Sequence, residues 1–283
     1  FHQGEADPTP TITGTAGGTF SATPSGLSIN TSTGTIDLEN STIQSYTITY
    51  TVSGVSSSQS LAVTASPLLA NNHSFLFDGV NDYVTAGNNS NLQFQPTDAF
   101  TLSCWFNADS HSSNSIILSN NEWSGAFRGY NIQLKSTGAL QFTLTSNYVS
   151  SSNNTNINIV STTTINTGTW YHLVITKDTS IANTGLNMYI NGSAATVTRG
   201  GGGTLSAFTY VSDFNIGGVD NGNQLFNGKI DEAAVWNTAL SSDAVQEIYN
   251  ATNNNTGKAL DLSTDSGNYN ASSNLQYFNR LGD

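Results

Sequence analysis

Apolar residues that recur at every second position constrain this chain most. Tyr130, Ile132 and Leu134 alternate with Asn131, Gln133 and Lys135, and after Ser136-Thr137-Gly138 the pattern resumes as Leu140, Phe142 and Leu144. Successive side chains of a strand point to opposite faces, so this alternation predicts a hairpin with one buried and one wet face. Leu186, Met188 and Ile190 alternate likewise and run into Asn191-Gly192, a pair that accepts the positive torsions of a tight primed turn. One stretch departs from this rhythm. From Leu240 to Asn250, the pairs Ala244/Ile248 and Val245/Tyr249 repeat at four-residue spacing, which predicts a short helix. Ser241 or Ser242 can cap it, and Asp243 complements the dipole at its start.

Composition narrows the choices. The chain has 283 residues, more than one typical domain, and 36% of them are hydrophobic while only 9% are charged. That is too apolar and too regularly patterned for a disordered chain. The net charge is −12, with seven Lys plus Arg in total and no cluster of cations. Binding to nucleic acid or to an anionic membrane surface needs such a cluster, so both are excluded as partners. No apolar run approaches the length that spans a bilayer, so membrane insertion is excluded as well. Cys104 is the only cysteine. It allows no internal disulfide and no multi-thiolate metal site, and its place in an alternating strand predicts a buried small apolar residue. A chain without disulfides points to a bacterial surface protein or a virion protein rather than a secreted animal one. It begins at Phe1 without an initiator Met or a leader, as a processed product or a piece of something longer would. Triplets such as Asn30-Thr31-Ser32 follow from the abundance of Asn, Ser and Thr and carry no weight as glycosylation signals.

Three stretches divide the chain. Residues 1–68 carry short β-prone runs separated by Gly and Ser, including Thr19-Phe20-Ser21, Leu27-Ser28-Ile29, Thr35 to Leu38, Tyr46 to Val52 and Ser60 to Thr64. Pro67 marks the break. Residues 72–252 hold the alternating strands and the helix, and residues 253–283 show little strand pattern and read as a tail or a linker. The glycine run Gly200 to Gly203 lacks the Gly-Lys-Ser/Thr of a phosphate loop and reads as a flexible connection.

Two framing segments give these strands a family likeness. The first is Ser74-Phe75-Leu76-Phe77-Asp78-Gly79-Val80-Asn81-Asp82-Tyr83-Val84 and the second is Gly228-Lys229-Ile230-Asp231-Glu232-Ala233-Ala234-Val235-Trp236-Asn237. Between them come Phe100-Thr101-Leu102-Ser103-Cys104-Trp105-Phe106, Gly168 to Ile175 and Leu186 to Gly192. In this order they resemble the laminin G-like branch of the concanavalin A-like lectin/glucanase superfamily. The resemblance implies an all-β jelly-roll sandwich that binds glycans or proteins. Gly26 to Asp37 resembles bacterial immunoglobulin-like and cadherin-like modules, which implies a small immunoglobulin-like β-sandwich, shortened, in front of the jelly roll. Asn274 to Asp283 resembles segments that join successive laminin G-like modules.

The resemblance also implies calcium where the first and last strands meet, with Asp78, Asn81, Asp82 and Asp231 as matching ligands. Calcium takes six to eight oxygens, so backbone carbonyls would complete the shell. The residues themselves allow another reading, in which Asp78 and Asp82 accept bonds from N–H groups of a turn.

Sugars present apolar C–H faces and many hydroxyls, and aromatic platforms beside amides and carboxylates meet both. The mixtures suited to this are Trp123, Arg128, Tyr148, Asp220, Asn221 and Asn223. Trp105, Trp170 and Trp236 sit inside strand patterns and are expected in the core. Glycosidases need two carboxylates on one face, and neither Glu5, Glu39, Glu122, Glu232 nor Glu247 has the spacing for it. Asp231 and Glu232 are adjacent and, on a regular strand, diverge. The expectation is a non-catalytic adhesion module, extracellular, at a cell surface or on a virion, binding a glycan or a surface protein through rim loops. The alternative is a structural subunit of a filament, fibre or capsid that assembles with copies of itself or with other chains.

Overall fold

The computed structural model describes residues 1–3, 6–122, 125–148, 154–219, 222–254 and 258–282. The chain forms two compact units, Phe1–Leu69 and Ala70–Asp283.

In the first unit, the antiparallel strands Thr19–Thr23, Gln44–Val52 and Val55–Val63 make one sheet, and Ser28–Ile29 pairs with Ile36–Asp37. Ile36, Leu38, Tyr46 and Val63 form its buried core. Along Gln44–Val52, Tyr46, Ile48 and Tyr50 face this core, while Thr47, Thr49 and Thr51 face outward beside Ser60, Ser58 and Ser56. These strands make a smaller assembly than the seven of an immunoglobulin-type sandwich.

The second unit is a sandwich of two antiparallel sheets, so the all-β jelly roll read from the sequence is what the chain adopts. One sheet runs in the order Val197–Gly202, Asn154–Thr164, Ala139–Tyr148, Gly129–Leu134, Ser115–Asn121, Asn215–Ile216, Val84–Thr85. The other runs Ser193–Ala194, Leu186–Ile190, Trp170–Lys177, Phe100–Ala108, Asn227–Trp236, with Phe75–Asp78 and Leu275–Asn279 sharing the last edge. Residues read as apolar stripes fill the space between: Tyr130, Ile132, Leu134, Leu140, Phe142 and Leu144 are all fully buried, as is Cys104. Phe100 stacks on Phe94 and Tyr130 with centroids 4.7 and 5.5 Å apart. Asn191 and Gly192 take φ of 51° and 74°, the primed turn their sequence predicts.

Part of the outer face of the second sheet is covered. The helix Ser242–Asn253, capped by the Ser241 hydroxyl on the Ala244 N–H at 3.1 Å, buries Ala244, Val245, Ile248 and Ala251. Tyr249 stacks on Trp105 at 5.7 Å, and Trp105 stacks on His172 at 5.1 Å.

Three expectations change. The segment after residue 252 belongs to the second unit: Leu275–Asn279 pairs with Asn227–Trp236, and Tyr269 accepts a 2.9 Å hydrogen bond from the Trp236 indole. Gly200 to Gly202 continue a strand, because Asn156 to Asn158 supply its ladder; a Cβ on Gly201 would sit 2.2 Å from the Asn156 carbonyl. Trp170 begins its strand at the surface and stays 37% exposed, whereas Trp236 is fully buried. No helix among the described residues is long and apolar enough to cross a membrane.

Candidate functional site

Strand pairing fixes which side chains share the outer face of the first sheet. Leu118, Ile132, Phe142 and Ile159 point inward, so their chain neighbours point out. One register line across this face reads Thr85, Asn215, Ser119, Asn131, Thr143, Asn158, Gly200. A second reads Asn121, Gly129, Thr145, Asn156, Gly202, and a third contains Gln133 and Gln141. Amides and hydroxyls therefore follow one another across strands about 4.8 Å apart, each a donor, an acceptor or both.

Neighbours hold this face in order. The Gln141 amide donates to the Thr143 hydroxyl at 2.9 Å, the Asn158 amide to Asn156 Oδ1 at 3.3 Å, and Lys135 Nζ to Gln133 Oε1 at 2.9 Å. Ser119 donates to the Gly218 carbonyl at 2.8 Å and is fully buried, so the open part of the face lies around Asn131, Thr143 and Asn158, which are half-buried. Asn121 is 2% exposed; its Nδ2 donates to the Glu122 carbonyl, while its Oδ1 meets no donor among the described residues. A buried carbonyl oxygen without a donor costs about 1–3 kcal/mol, so this position gains from a hydroxyl supplied by water or ligand.

Of the residues proposed from sequence for sugar binding, Arg128 and Asn223 have described side chains, and these two stand apart. Trp123, Asp220 and Asn221 lie outside the described residues, as does the side chain of Tyr148, which ends the strand Ala139–Tyr148. Arg128 sits at one end of the sheet, where its guanidinium pairs with Glu122 at 3.2 Å and 3.3 Å; Glu122 also accepts from the Ala126 N–H. The charges of this pair largely cancel. Asn223 is exposed on the turn after Val219, next to Gln224, whose carbonyl accepts from Ile116. Since Arg128 lies opposite Glu122 and Gln224 opposite Ile116, the two ends stand about 20 Å apart along the strand. The amides between them were half legible: Asn131 and Gln133 form the wet side of the first hairpin, and Thr143, Asn156 and Asn158 repeat that parity in the next two strands.

Of the residues implied as calcium ligands, Asp78, Asn81 and Asp82 share one turn. Asp78 Oδ1 accepts from Val80 N at 2.7 Å and from Asn81 N at 3.4 Å, and Asp82 Oδ2 accepts from Asp78 N at 3.1 Å, so these residues close a turn. Asp231 is not with them. It pairs with Trp105, while Asp78 pairs with Asn227, which puts about 13 Å of strand between the two carboxylates. Asp231 is 5% exposed, and its Oδ1 accepts from the Glu232 N–H at 2.8 Å. No group of three or more His, Cys, Asp or Glu that could hold a metal ion occurs among the described residues.

Asp231 and Glu232 also depart from a regular strand. The register slips between Asp231/Trp105 and Ala234/Ser103, and Glu232 has φ of 50° in this bulge. Glu232 is 6% exposed and pairs with Arg280 at 3.1 Å. Nearby, Ser103 and His172 Nε2 share a 2.9 Å hydrogen bond beneath the helix. The void beside them is about 10 Å³, room for one water molecule and no substrate. Burial holds the His172 imidazole down at about 3, so it stays neutral.

A laminin G-type profile of the concanavalin A-like lectin/glucanases superfamily matches residues 78–246. Among solved structures, a candidate carbohydrate-binding protein from Bacteroides ovatus is 17% identical with a TM-score of 0.54, covering 93% of this chain and 70% of its own. The Ruminococcus gnavus IT-sialidase CBM40 bound to α2,3 sialyllactose is 12% identical with a TM-score of 0.47, covering 63% of this chain and 97% of its own. The botulinum neurotoxin serotype G binding domain is 15% identical with a TM-score of 0.46, covering 64% and 45%. No curated protein matches the chain.

Proposed function

Because the chain belongs to the concanavalin A-like lectin/glucanases superfamily, we propose that it is a non-catalytic glycan-binding module whose site is the open polar face of its first sheet. The observation that carries this reading is the register line through Asn131, Thr143 and Asn158, flanked by Gln133, Gln141 and Asn156. Part of the opposite outer face is covered by the helix and by the Trp105–Tyr249 stack. Amides at strand spacing match sugar hydroxyls, which donate and accept in equal measure. With a net charge of −12 and Arg128 already paired to Glu122, the face favours uncharged glycans over polyanions.

The non-catalytic part rests on where the carboxylates go. Glu122 and Glu232 are tied to Arg128 and Arg280, and the Asp231–Glu232 pair is buried under its own sheet edge. A module of this kind works where glycans are displayed, outside a cell or on a virion. An array of neutral and acidic glycans, probed with the wild type and with Asn131→Ala/Asn158→Ala, tests the reading. It predicts binding to neutral glycans that the double variant weakens at least about tenfold, the effect of losing two hydrogen bonds of ordinary strength. An array on which nothing binds, or on which the double variant binds unchanged, contradicts it.

A further inference from the structure

The strand Val55–Val63 is a sheet edge without the devices that keep edges apart. Folded proteins blunt such edges with Lys, Pro, bulges or short strands, because the unpaired N–H and C=O groups otherwise template another chain. Here the edge is nine residues long, carries no charge and no proline, and keeps register with Gln44–Val52 from Val63↔Gln44 to Val55↔Val52 without a shift. The other edge of the same sheet, Thr19–Thr23, is five residues, runs into Pro24, and has the Phe20 N–H bonded to the Thr31 carbonyl.

One end of the long edge already accepts backbone. Phe1 N donates to the Ala62 carbonyl, Thr64 N donates to Phe1 O, and Gln3 N donates to Thr64 O. Ala62 and Thr64 therefore turn their polar groups away from Gln44–Val52. By the period of two, Ser60, Ser58 and Ser56 turn theirs the same way. Among the described residues, no strand pairs with them on that side.

We propose that a second copy of this chain occupies this edge, the two Val55–Val63 strands pairing antiparallel about a two-fold axis at Ser58. That register makes Ser58 face Ser58 and Ser56 face Ser60, as hydrogen-bonded pairs. On the outer face it continues rows of hydroxyls that already bond to one another, Thr49 to Ser58 at 2.9 Å and Thr51 to Ser56 at 2.8 Å. On the inner face it sets Val55 opposite Leu61 of the second copy. Val55 is 72% exposed and both residues line a groove of about 730 Å³ rimmed by Ile48 and Tyr50, so the pairing covers apolar surface that one copy leaves wet. Charge points the same way. Two chains of net charge −12 repel over most of their surfaces, but none of the three strands of this sheet carries a charged residue.

The test uses the whole chain. Sedimentation across a concentration series reads the mass, and Ser58→Cys reports the axis, since opposed residues of a hydrogen-bonded pair lie within reach of a disulfide. Cys104 is fully buried and does not compete. The expected result is a dimer, cross-linked on oxidation through Ser58→Cys but not through Ser21→Cys, which is on the same face two strands away. Ser58→Lys places two like charges at the axis and weakens association at least about tenfold while the melting profile holds. A monomer throughout the series, no cross-link through Ser58→Cys, or an oligomer that Ser58→Lys leaves intact overturns the proposal.

Discussion

At the scale of single residues, two buried polar groups report on the second unit. His172 is fully enclosed, its Nε2 shares a hydrogen bond with Ser103, and its Nδ1 meets no partner among the described residues. Folded, it titrates near 3, against 6.5 when exposed, so the unfolded chain binds the extra proton between those values. Its contribution is therefore complete above pH 6.5 and declines as pH falls toward 3, by up to about 1.4 kcal/mol per unit. His172→Gln is expected to have a lower melting temperature at neutral pH and a shallower loss between pH 6 and 4. A parallel acid profile for the two proteins would assign the acid sensitivity elsewhere. Asn121 makes the complementary case: its Oδ1 meets no donor among the described residues while its Nδ2 donates to the Glu122 carbonyl, so Asn121→Ala removes a liability and a bond together and leaves thermal stability nearly unchanged, which a melting curve checks.

At the scale of elements, the helix and the C-terminal segment act as one cover. Ser241→Ala removes the cap on Ala244 and is expected to cost about 1 kcal/mol, a fall of about 2–4 °C in melting temperature. Ending the chain after Asn254 removes both Tyr269, which holds the Trp236 indole, and the edge strand Leu275–Asn279. Such a chain is expected to expose Trp236 and aggregate; an unshifted tryptophan emission would contradict this cover. The contrast shows what the residues disclosed. The hairpin around Ser136-Thr137-Gly138, the Asn191-Gly192 turn and the Ser241 cap were legible because each depends on neighbours in sequence. The segment 258–282 was not, since its order comes from packing on Trp236 and on Asn227–Trp236, far away in the chain. The glycine strand escaped notice for the same reason. So did the site: Asn131, Thr143 and Asn158 sit on three strands, and only register sets them side by side.

At the scale of the whole molecule, charge and topology restrict what the sandwich can hold. Asp78 Oδ1 and Asp82 Oδ2 accept from N–H groups of their own turn, and Asp231 lies about 13 Å along the strand from it. Melting at about 10 mM calcium against a chelator tests the calcium implied at this rim: an extracellular-type site raises the melting temperature measurably, and an unchanged one removes it. The polar face of the first sheet carries donors and acceptors at Asn131, Thr143 and Asn158. Amide shifts in a titration with a neutral glycan selected on the array test this most directly. The account predicts that they gather on Gly129–Leu134, Ala139–Tyr148 and Asn154–Thr164. Shifts confined to the helix Ser242–Asn253 or to the Asp78–Asp82 turn would contradict it.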